Sequence, residues 1–168
     1  MSAPQPSPTY PAAPFAQRRS IEQVEEGLEL APKFDRLGLI PVVTTDADRG
    51  EVLMVGVMDA EALARTIATR QAHYWSRSRQ ASWHKGATSG FVQHVVEARI
   101  DDDQDAVWLR VRLAPGQASC HVGYRSCFYR AIDLDDATRA PVGLVPVGTK
   151  KIFDPETVYG GAPNPTRL

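Results

Sequence analysis

The sequence predicts an α+β domain with a mainly antiparallel sheet and two or three short helices. Strand-like segments of alternating hydrophobicity follow one another without the regular helical crossovers of a parallel sheet. The chain has 168 residues, of which 43% are hydrophobic and 23% charged, as is typical of one soluble domain. This composition excludes a disordered chain, a collagen-like fibre and a disulfide scaffold.

The first residues differ from the rest of the chain. Five prolines lie within the first fourteen residues, and such a segment cannot bury a core. We therefore expect a disordered tail over residues 1–19 and a single domain over 20–168. No apolar run follows Arg18 and Arg19, which argues against a secretory or twin-arginine signal, whereas an organelle transit peptide stays open.

Two helices are predicted from their N-terminal capping signals. Ser20 and Gln23 form a capping box that begins a short helix ending near Leu30. Asp59 can cap a second helix that ends near Arg70. Both predicted helices are short, and they are the short helices of the predicted α+β fold.

Six segments are predicted as strands. The segments 91–100 and 107–113 alternate in hydrophobicity and are joined by a hairpin around Asp101–Asp105. In the first of these, alternation places Val96 on the apolar face and Gln93 on the polar face. The stretch 77–90 is polar, contains two glycines and is predicted as a loop. The predicted strands cover 40–45, 51–58, 72–76, 91–100, 107–113 and 127–132.

Charge is segregated along the chain although the formal net charge is only −1. No acidic residue occurs from Ala62 to Val96, and five acidic residues follow from Glu97 to Asp105. A cationic loop rich in Gly, Ser and Thr suits phosphate, and clustered carboxylates suit a hard cation such as Mg²⁺. A solvated loop and an exposed acidic turn remain the alternative. The near-neutral balance argues against a nucleic-acid partner, and the short apolar runs argue against membrane insertion.

Two thiols and a histidine lie within eight residues, at Cys120, His121 and Cys127. Two soft ligands do not close a zinc site, so a third ligand would come from elsewhere in the chain or from a partner chain. A water molecule on such a metal can become a nucleophile near neutral pH. His121 could ligate the metal or act as a general acid and base. Two buried structural thiols remain the alternative, and the low cysteine count favours a reducing compartment.

Three ordered motifs carry a family resemblance. HYWSRSRQASWHKGATSG (73–90), RIDDDQD (99–105) and CHVGYRSCFYR (120–130) strongly resemble phosphoribosyl-AMP cyclohydrolases. The resemblance covers roughly 37–132 and, more loosely, FDPETVYG (153–160). It implies a cytoplasmic enzyme of histidine biosynthesis that hydrolyses the adenine ring of its nucleotide between N1 and C6. It also implies a metal-dependent, intertwined homodimer with active sites at the subunit interface.

The resemblance also implies roles for individual residues. The magnesium ligands of the family fall on Asp101, Asp103 and Asp105, and two of its three zinc cysteines fall on Cys120 and Cys127. The position of the third zinc cysteine, between the first two aspartates, is here Asp102. Aspartate can ligate zinc through oxygen, and this harder site should tolerate Mn²⁺ or Fe²⁺ better than three thiolates.

The substrate that the resemblance implies has a cationic purine with an electrophilic C6, which metal-activated water can attack. We expect His121 to transfer the proton, with His84 as the weaker alternative. Trp83 could stack on a base or pack in the core. Most candidates for substrate binding could donate hydrogen bonds to the phosphate groups. The candidates are Ser76, Arg77, Ser78, Arg79, Trp83, Lys85, Thr88, Ser89 and Gly90.

Other functions remain open at this point. The departure at Asp102 is compatible with a paralogue that has a relaxed metal requirement. It is also compatible with a family member that binds a purine nucleotide or a metal without turnover. A third alternative is hydrolysis of a different purine nucleotide. Assaying phosphoribosyl-AMP for its ring-opened product separates turnover from binding alone, and a panel of purine nucleotides tests the third alternative.

Overall fold

The structure, a computed structural model, describes residues 15–136, 138–147, 150–162, 164 and 166. Among these residues, helices and strands alternate irregularly along the chain. The elements in chain order are α1 (Ile21–Glu25), β1 (Ile40–Asp46), β2 (Val52–Met58), α2 (Ala60–Thr69), β3 (His73–Ser76), β4 (Ala81–His84), β5 (His94–Ile100), β6 (Val107–Arg112), β7 (Arg130–Ile132), β8 (Leu144–Pro146) and α3 (Pro155–Tyr159).

The central sheet has four strands in the order β2-β1-β6-β5. Strand β1 pairs with β2 antiparallel and with β6 parallel, and β5 pairs with β6 antiparallel. The sheet is therefore mixed, because β6 returns beside β1 after a connection that contains α2 and four strands, β2 to β5. The predicted α+β class and the hairpin around Asp101–Asp105 are confirmed.

The core lies between the sheet and helix α2. On β6, the predicted alternation is confirmed, because Val107, Leu109 and Val111 are buried. Helix α2 begins at the N-cap Asp59, whose carboxylate accepts a 2.8 Å hydrogen bond from the Ala62 amide. The core cluster comprises Ile40, Val42, Leu53, Met58, Ala62, Leu63, Ala72, Tyr74, Val107, Leu109 and Val111.

Strand β5 departs from the predicted alternation. The pairing register shifts between Val95 and Glu97, which is a β-bulge, and Val96 is 41% exposed. Gln93, predicted on the polar face, is completely buried just before the strand begins. The extra residue of a bulge breaks the two-residue period, so the simple alternation assigned the faces wrongly.

Several other elements differ from the prediction in their bounds or in their existence. Helix α1 ends at Glu25, two residues before Gly27, and not near Leu30. Strand β4 lies inside the stretch predicted as a loop and pairs antiparallel with β3. The strand predicted to begin at Cys127 begins at Arg130. Strand β8 and helix α3 were not predicted, because both are short and lack a long apolar pattern.

The arm before β1 packs against the hairpin between β5 and β6. The rings of Phe15 and Phe34 lie 6.1 Å apart, and the Ala16 amide donates a 2.8 Å hydrogen bond to Leu30. Arg18 donates to the carbonyl of Asp103 at 2.9 Å. Residues 15–18, which the sequence assigned to the tail, therefore contact the domain. Residues 1–14 of the predicted tail lie outside the described residues. The longest helix in the described ranges is α2, with ten residues. No helix among the described residues is therefore long enough to cross a bilayer.

Candidate active site

The aspartate hairpin brings three carboxylates together, as the sequence predicted. One ligand atom each from Asp101, Asp103 and Asp105 lies within 4.8 Å of the others. The carboxylate of Asp101 also accepts 2.9 Å hydrogen bonds from the amides of Asp105 and Ala106, which close the turn. Oxygen ligands at this spacing fit a hard divalent cation.

Lys33 contacts this cluster from the N-terminal arm. Its Nζ lies 3.2 Å from Asp105 Oδ2 and 3.3 Å from Asp103 Oδ2. The hydrogen bonds to Asp105 and Asp103 raise the pKa of Lys33. The buried Gln104 side chain holds the arm in place, accepting from the Ala31 amide at 2.7 Å. No local pattern in the sequence indicated Lys33, because the contact joins residues about 70 positions apart.

The two cysteines lie together on the loop after β6. Their thiols are hydrogen-bonded to each other, and this bond lowers the pKa of Cys120 to about 6 and raises that of Cys127. The Cys127 amide donates to the Leu53 carbonyl at 2.8 Å, which fixes the loop to β2. The pair can therefore present one thiolate at neutral pH, as a soft metal ligand must.

Asp102 does not join the two thiols within one chain. In the described part of the chain, the aspartate hairpin forms the only cluster of three or more His, Cys, Asp or Glu ligands, and it contains neither Asp102 nor a cysteine. Asp102 is exposed at the tip of the hairpin. A three-ligand site that uses Cys120, Cys127 and Asp102 would therefore need more than one copy of the chain.

A cavity of about 450 Å³ lies beside the cysteine loop. It brings together many of the sequence-predicted residues, including His121 and Cys127. Arg77 and Ser78 instead line a second cavity of about 320 Å³ near Trp83, and Gly90 lines neither of the two. The predicted residues in the larger cavity are Ser76, Arg79, Trp83, His84, Lys85, Thr88, Ser89, His121 and Cys127.

Two cations flank the indole ring of Trp83 in this cavity. The Lys85 ammonium lies 5.8 Å and the Arg79 guanidinium 5.6 Å from the ring centroid. Lys85 is buried, and burial lowers its pKa although the two thiols act in the opposite direction. A buried ammonium gains stability from an anion, so this part of the cavity favours a phosphate group.

Two histidines present ring nitrogens that lack partners. His121 Nε2 and His84 Nε2 are both buried, and neither has a hydrogen-bond partner among the described residues. The His84 ring stacks on His73 at 4.6 Å, and burial lowers the pKa of both rings. Buried polar atoms usually have a partner, so such nitrogens in a cavity indicate where a ligand would bind.

Comparisons with known proteins identify the family. The phosphoribosyl-AMP cyclohydrolase family model matches residues 54–129. Proteins named phosphoribosyl-AMP cyclohydrolase from Rhodopseudomonas palustris (strain BisA53) and Mesorhizobium japonicum are both 54% identical to this chain. The first alignment covers 95% of this chain and 99% of the relative, and the second covers 81% and 87%. A relative of that name from Bradyrhizobium diazoefficiens is 52% identical over 82% of this chain and 94% of its own length.

The chain belongs to the phosphoribosyl-AMP cyclohydrolase family. Membership identifies it as an enzyme of the hydrolase class and confirms the resemblance found in its three motifs.

The candidate site also includes residues that the sequence did not indicate. Gln93 donates to Ser119 Oγ at 2.8 Å and accepts from the Tyr74 hydroxyl at 2.6 Å. Ser119 lines the larger cavity and precedes Cys120, so the core supports the cysteine loop directly. Alternation alone placed Gln93 on the polar face, and no other local signal marked it.

A second group of unpredicted lining residues comes from the segment around α3. Pro155, Glu156 and Tyr159 line it together with residues that follow the helix. The sequence resemblance reached residues 153–160 only loosely and assigned them no role. Their contribution depends on tertiary contacts that no local pattern reveals.

Proposed function

We propose that this chain hydrolyses the bond between N1 and C6 of the adenine ring of phosphoribosyl-AMP, in histidine biosynthesis. One observation carries the proposal. A single cavity contains an unpartnered histidine nitrogen, a thiol and a buried cation, at His121, Cys127 and Lys85. This combination provides a proton acceptor, a metal ligand and a phosphate partner for one nucleotide.

The phosphate-binding part of the site is cationic. Lys85 and Arg79 line the cavity, and the hydroxyls of Thr88 and Ser89 lie in the same lining. Guanidinium, ammonium and hydroxyl groups all donate to phosphate oxygens. The absence of acidic residues from Ala62 to Val96 keeps competing negative charge out of this segment of the sequence.

The donor sets fit two kinds of metal ion. Asp101, Asp103 and Asp105 would hold Mg²⁺, and the ion pairs of Lys33 with two of these carboxylates support a site for positive charge. Cys120 and Cys127 would hold Zn²⁺ or another divalent transition metal, with Asp102 of a second copy as the third ligand. When bound, that metal supplies Lewis acidity that makes water a better nucleophile.

His121 is the proposed proton-transfer residue. It adjoins Cys120 in the sequence, and its Nε2 lies in the cavity without a partner. Its ring would accept a proton from the attacking water, whose oxygen goes to C6. The ring would then return a proton to N1 as the bond between C6 and N1 breaks.

The proposed active form is a homodimer in the cytoplasm. The outer face of the sheet exposes Val43, Val55 and Trp108, with Val55 54% exposed. An apolar face of this kind suits a second copy of the chain, and a second copy would complete the three-ligand metal site. Both cysteines are free thiols, as expected in a reducing compartment.

Turnover of phosphoribosyl-AMP tests this proposal directly. The chain is stripped of metal with a chelator and reloaded with Mg²⁺ plus Zn²⁺, Mn²⁺ or Fe²⁺, and the absorbance of the ring-opened product is followed. We expect turnover in at least one metal combination. His121→Ala should lower kcat by roughly 10²-fold to 10⁴-fold. The matched control His94→Ala, at an exposed histidine, should keep the activity.

Failure in this assay would have a clear meaning. Nucleotide binding without product in any divalent metal would overturn the proposed reaction. It would favour the alternative that this family member binds a purine nucleotide without turning it over.

A further inference from the structure

Residues 150–162 and 164, called here the α3 segment, dock on the cysteine loop. The Ile152 amide donates a 2.7 Å hydrogen bond to the carbonyl of Gly123, which lies between the two cysteines. Gly123 has φ +98, and a Cβ there would lie 2.3 Å from the Phe153 carbonyl oxygen. The close approach of the two backbones therefore requires glycine.

The α3 segment also docks on the loop that carries the phosphate candidates. The Phe153 ring makes an edge contact with Phe91 at 5.0 Å and lies 6.1 Å from the Tyr159 ring. Phe91 follows Ser89 and Gly90, and its amide donates a 3.2 Å hydrogen bond to the Ser89 hydroxyl oxygen. One aromatic side chain thus connects the α3 segment to the loop after β4.

Docked in this way, the α3 segment forms part of the cavity lining. Glu156 is the only carboxylate among the described residues that line the cavity, whereas Arg79 and Lys85 are its cations. No hydrogen bond or ion pair joins the Glu156 carboxylate to another residue in the described ranges. Its oxygens are therefore available to a ligand.

We propose that Glu156 is a specificity-determining residue that accepts hydrogen bonds from the ribose hydroxyls of the nucleotide. The assignment rests on the proposed function, because it presupposes a nucleotide in this cavity. A carboxylate repels phosphate, so Glu156 faces a part of the ligand that donates hydrogen bonds. Acidic side chains bind ribose hydroxyls in this way at other nucleotide sites. Tyr159 adds aromatic surface beside it.

The first test measures the kinetics of Glu156→Gln in the full chain with phosphoribosyl-AMP. We expect KM to rise by roughly tenfold, because Gln removes the negative charge and replaces one acceptor oxygen with an NH₂ donor, which weakens a charge-assisted contact to two hydroxyls. We expect kcat to change much less, since the contact binds substrate and transition state alike. Glu26→Gln, which removes an exposed carboxylate beyond α1, is the charge-matched control and should leave KM unchanged.

The second test separates ribose hydroxyls from the N–H donors of the purine. Calorimetry compares the binding of AMP and 2′,3′-dideoxy-AMP to the unaltered chain and to Glu156→Gln. We expect the substitution to weaken AMP binding and to leave dideoxy-AMP binding unchanged. Equal weakening of both nucleotides would overturn the ribose assignment.

The outcomes distinguish this inference from the proposed function. Normal turnover with an unchanged KM in Glu156→Gln would overturn the role of Glu156 alone. No turnover by the unaltered chain in any metal would overturn the proposed reaction, and the AMP measurements would still test Glu156. We expect Glu156→Gln to keep the melting temperature of the unaltered chain, because Glu156 is exposed, so a change in KM would report on binding and not on folding.

Discussion

The Tyr74 hydroxyl donates a 2.6 Å hydrogen bond to Gln93 Oε1, and both side chains are completely or almost completely buried. The same hydroxyl lies 2.8 Å from Thr44 Oγ1, and the Gln93 amide reaches Ser119 Oγ at 2.8 Å. Burial raises the pKa of Tyr74, so the hydroxyl keeps its proton as a donor. A continuous chain of hydrogen bonds therefore links β1 to the residue before Cys120.

Replacing Gln93 with Leu should destabilise the fold. The change removes the Gln93 bonds to both hydroxyls: among the described residues, Tyr74 keeps only Thr44 as a partner, and the buried Ser119 hydroxyl loses the side chain that donates to it. Leaving a buried polar group unsatisfied costs about 1–3 kcal/mol of unfolding free energy. Urea denaturation measures this loss. Tyr129→Phe is the control, because no described residue hydrogen-bonds to that hydroxyl. Equal stability of Gln93→Leu and the unaltered chain would contradict the structural role.

Replacing Asp102 with Cys should tighten zinc binding, since three thiolates are softer ligands than two thiolates and a carboxylate. Competition with a chelating dye measures the affinity, and Asp135→Cys serves as an exposed control. Unchanged affinity would argue that residue 102 is not a ligand. Zinc at full stoichiometry, with activity only in zinc, would contradict a relaxed metal requirement of the unaltered chain.

Mixing two inactive variants should restore activity if the thiols and Asp102 meet across two copies. Asp102→Ala and Cys127→Ser each damage both sites of their own homodimer. A mixed dimer keeps one site with all its ligands, so equal mixing should recover about a quarter of full activity. Co-expression followed by the turnover assay measures the recovery. Activity no higher than that of either variant alone would indicate that the ligands do not combine across subunits.

Replacing Lys33 with Ala should strengthen divalent-metal binding at the aspartate hairpin. The ammonium contacts Asp103 and Asp105, so a metal ion must displace it. Exposed ion pairs are weak and screened by solvent, so we expect a gain in affinity of at most roughly fivefold. Mn²⁺ titration followed by electron paramagnetic resonance measures it, with the exposed Arg49→Ala as control. Weaker metal binding in Lys33→Ala would refute competition.

Acidification should destabilise the fold through His73 and His84. Burial lowers the pKa of each below its ordinary value of 6.5, so the unfolded chain binds protons more readily. The contribution of these two histidines to the free energy of unfolding is therefore fully present above pH 6.5. It is lost as the pH falls through their lowered pKa values. Melting temperatures measured from pH 8 to pH 5 test this, and His73→Gln/His84→Gln should show a smaller decline. An equal decline in the double variant would assign the effect to other groups.

The sequence predicted the parts of the fold and site that depend on local patterns. Alternation identified β6 because its buried residues follow a strict two-residue period. The capping residue Asp59 located the start of α2 to within one residue. The motifs located the three aspartates that cluster in space and nine of the twenty residues that line the larger cavity.

The remaining features depend on contacts between distant parts of the chain. Gln93 is buried because its amide satisfies Tyr74 and Ser119, and neither partner is close in sequence. Lys33 reaches the aspartate hairpin through the packing of the N-terminal arm. Glu156 enters the cavity lining because Phe153 and Gly123 dock the α3 segment, which has no strong pattern of its own. Local propensity does not contain this information.

The parallel pairing of β1 with β6 has a consequence for the order of folding during synthesis. Strand β2 follows β1 at once and can cover one edge of it, but the other edge must wait for Val107–Arg112. Roughly 60 residues separate the two strands, which takes about 3–12 s to translate at typical ribosomal rates. During that interval the nascent hairpin presents an unpaired edge, a site at which chaperones would bind and neighbouring nascent chains could aggregate.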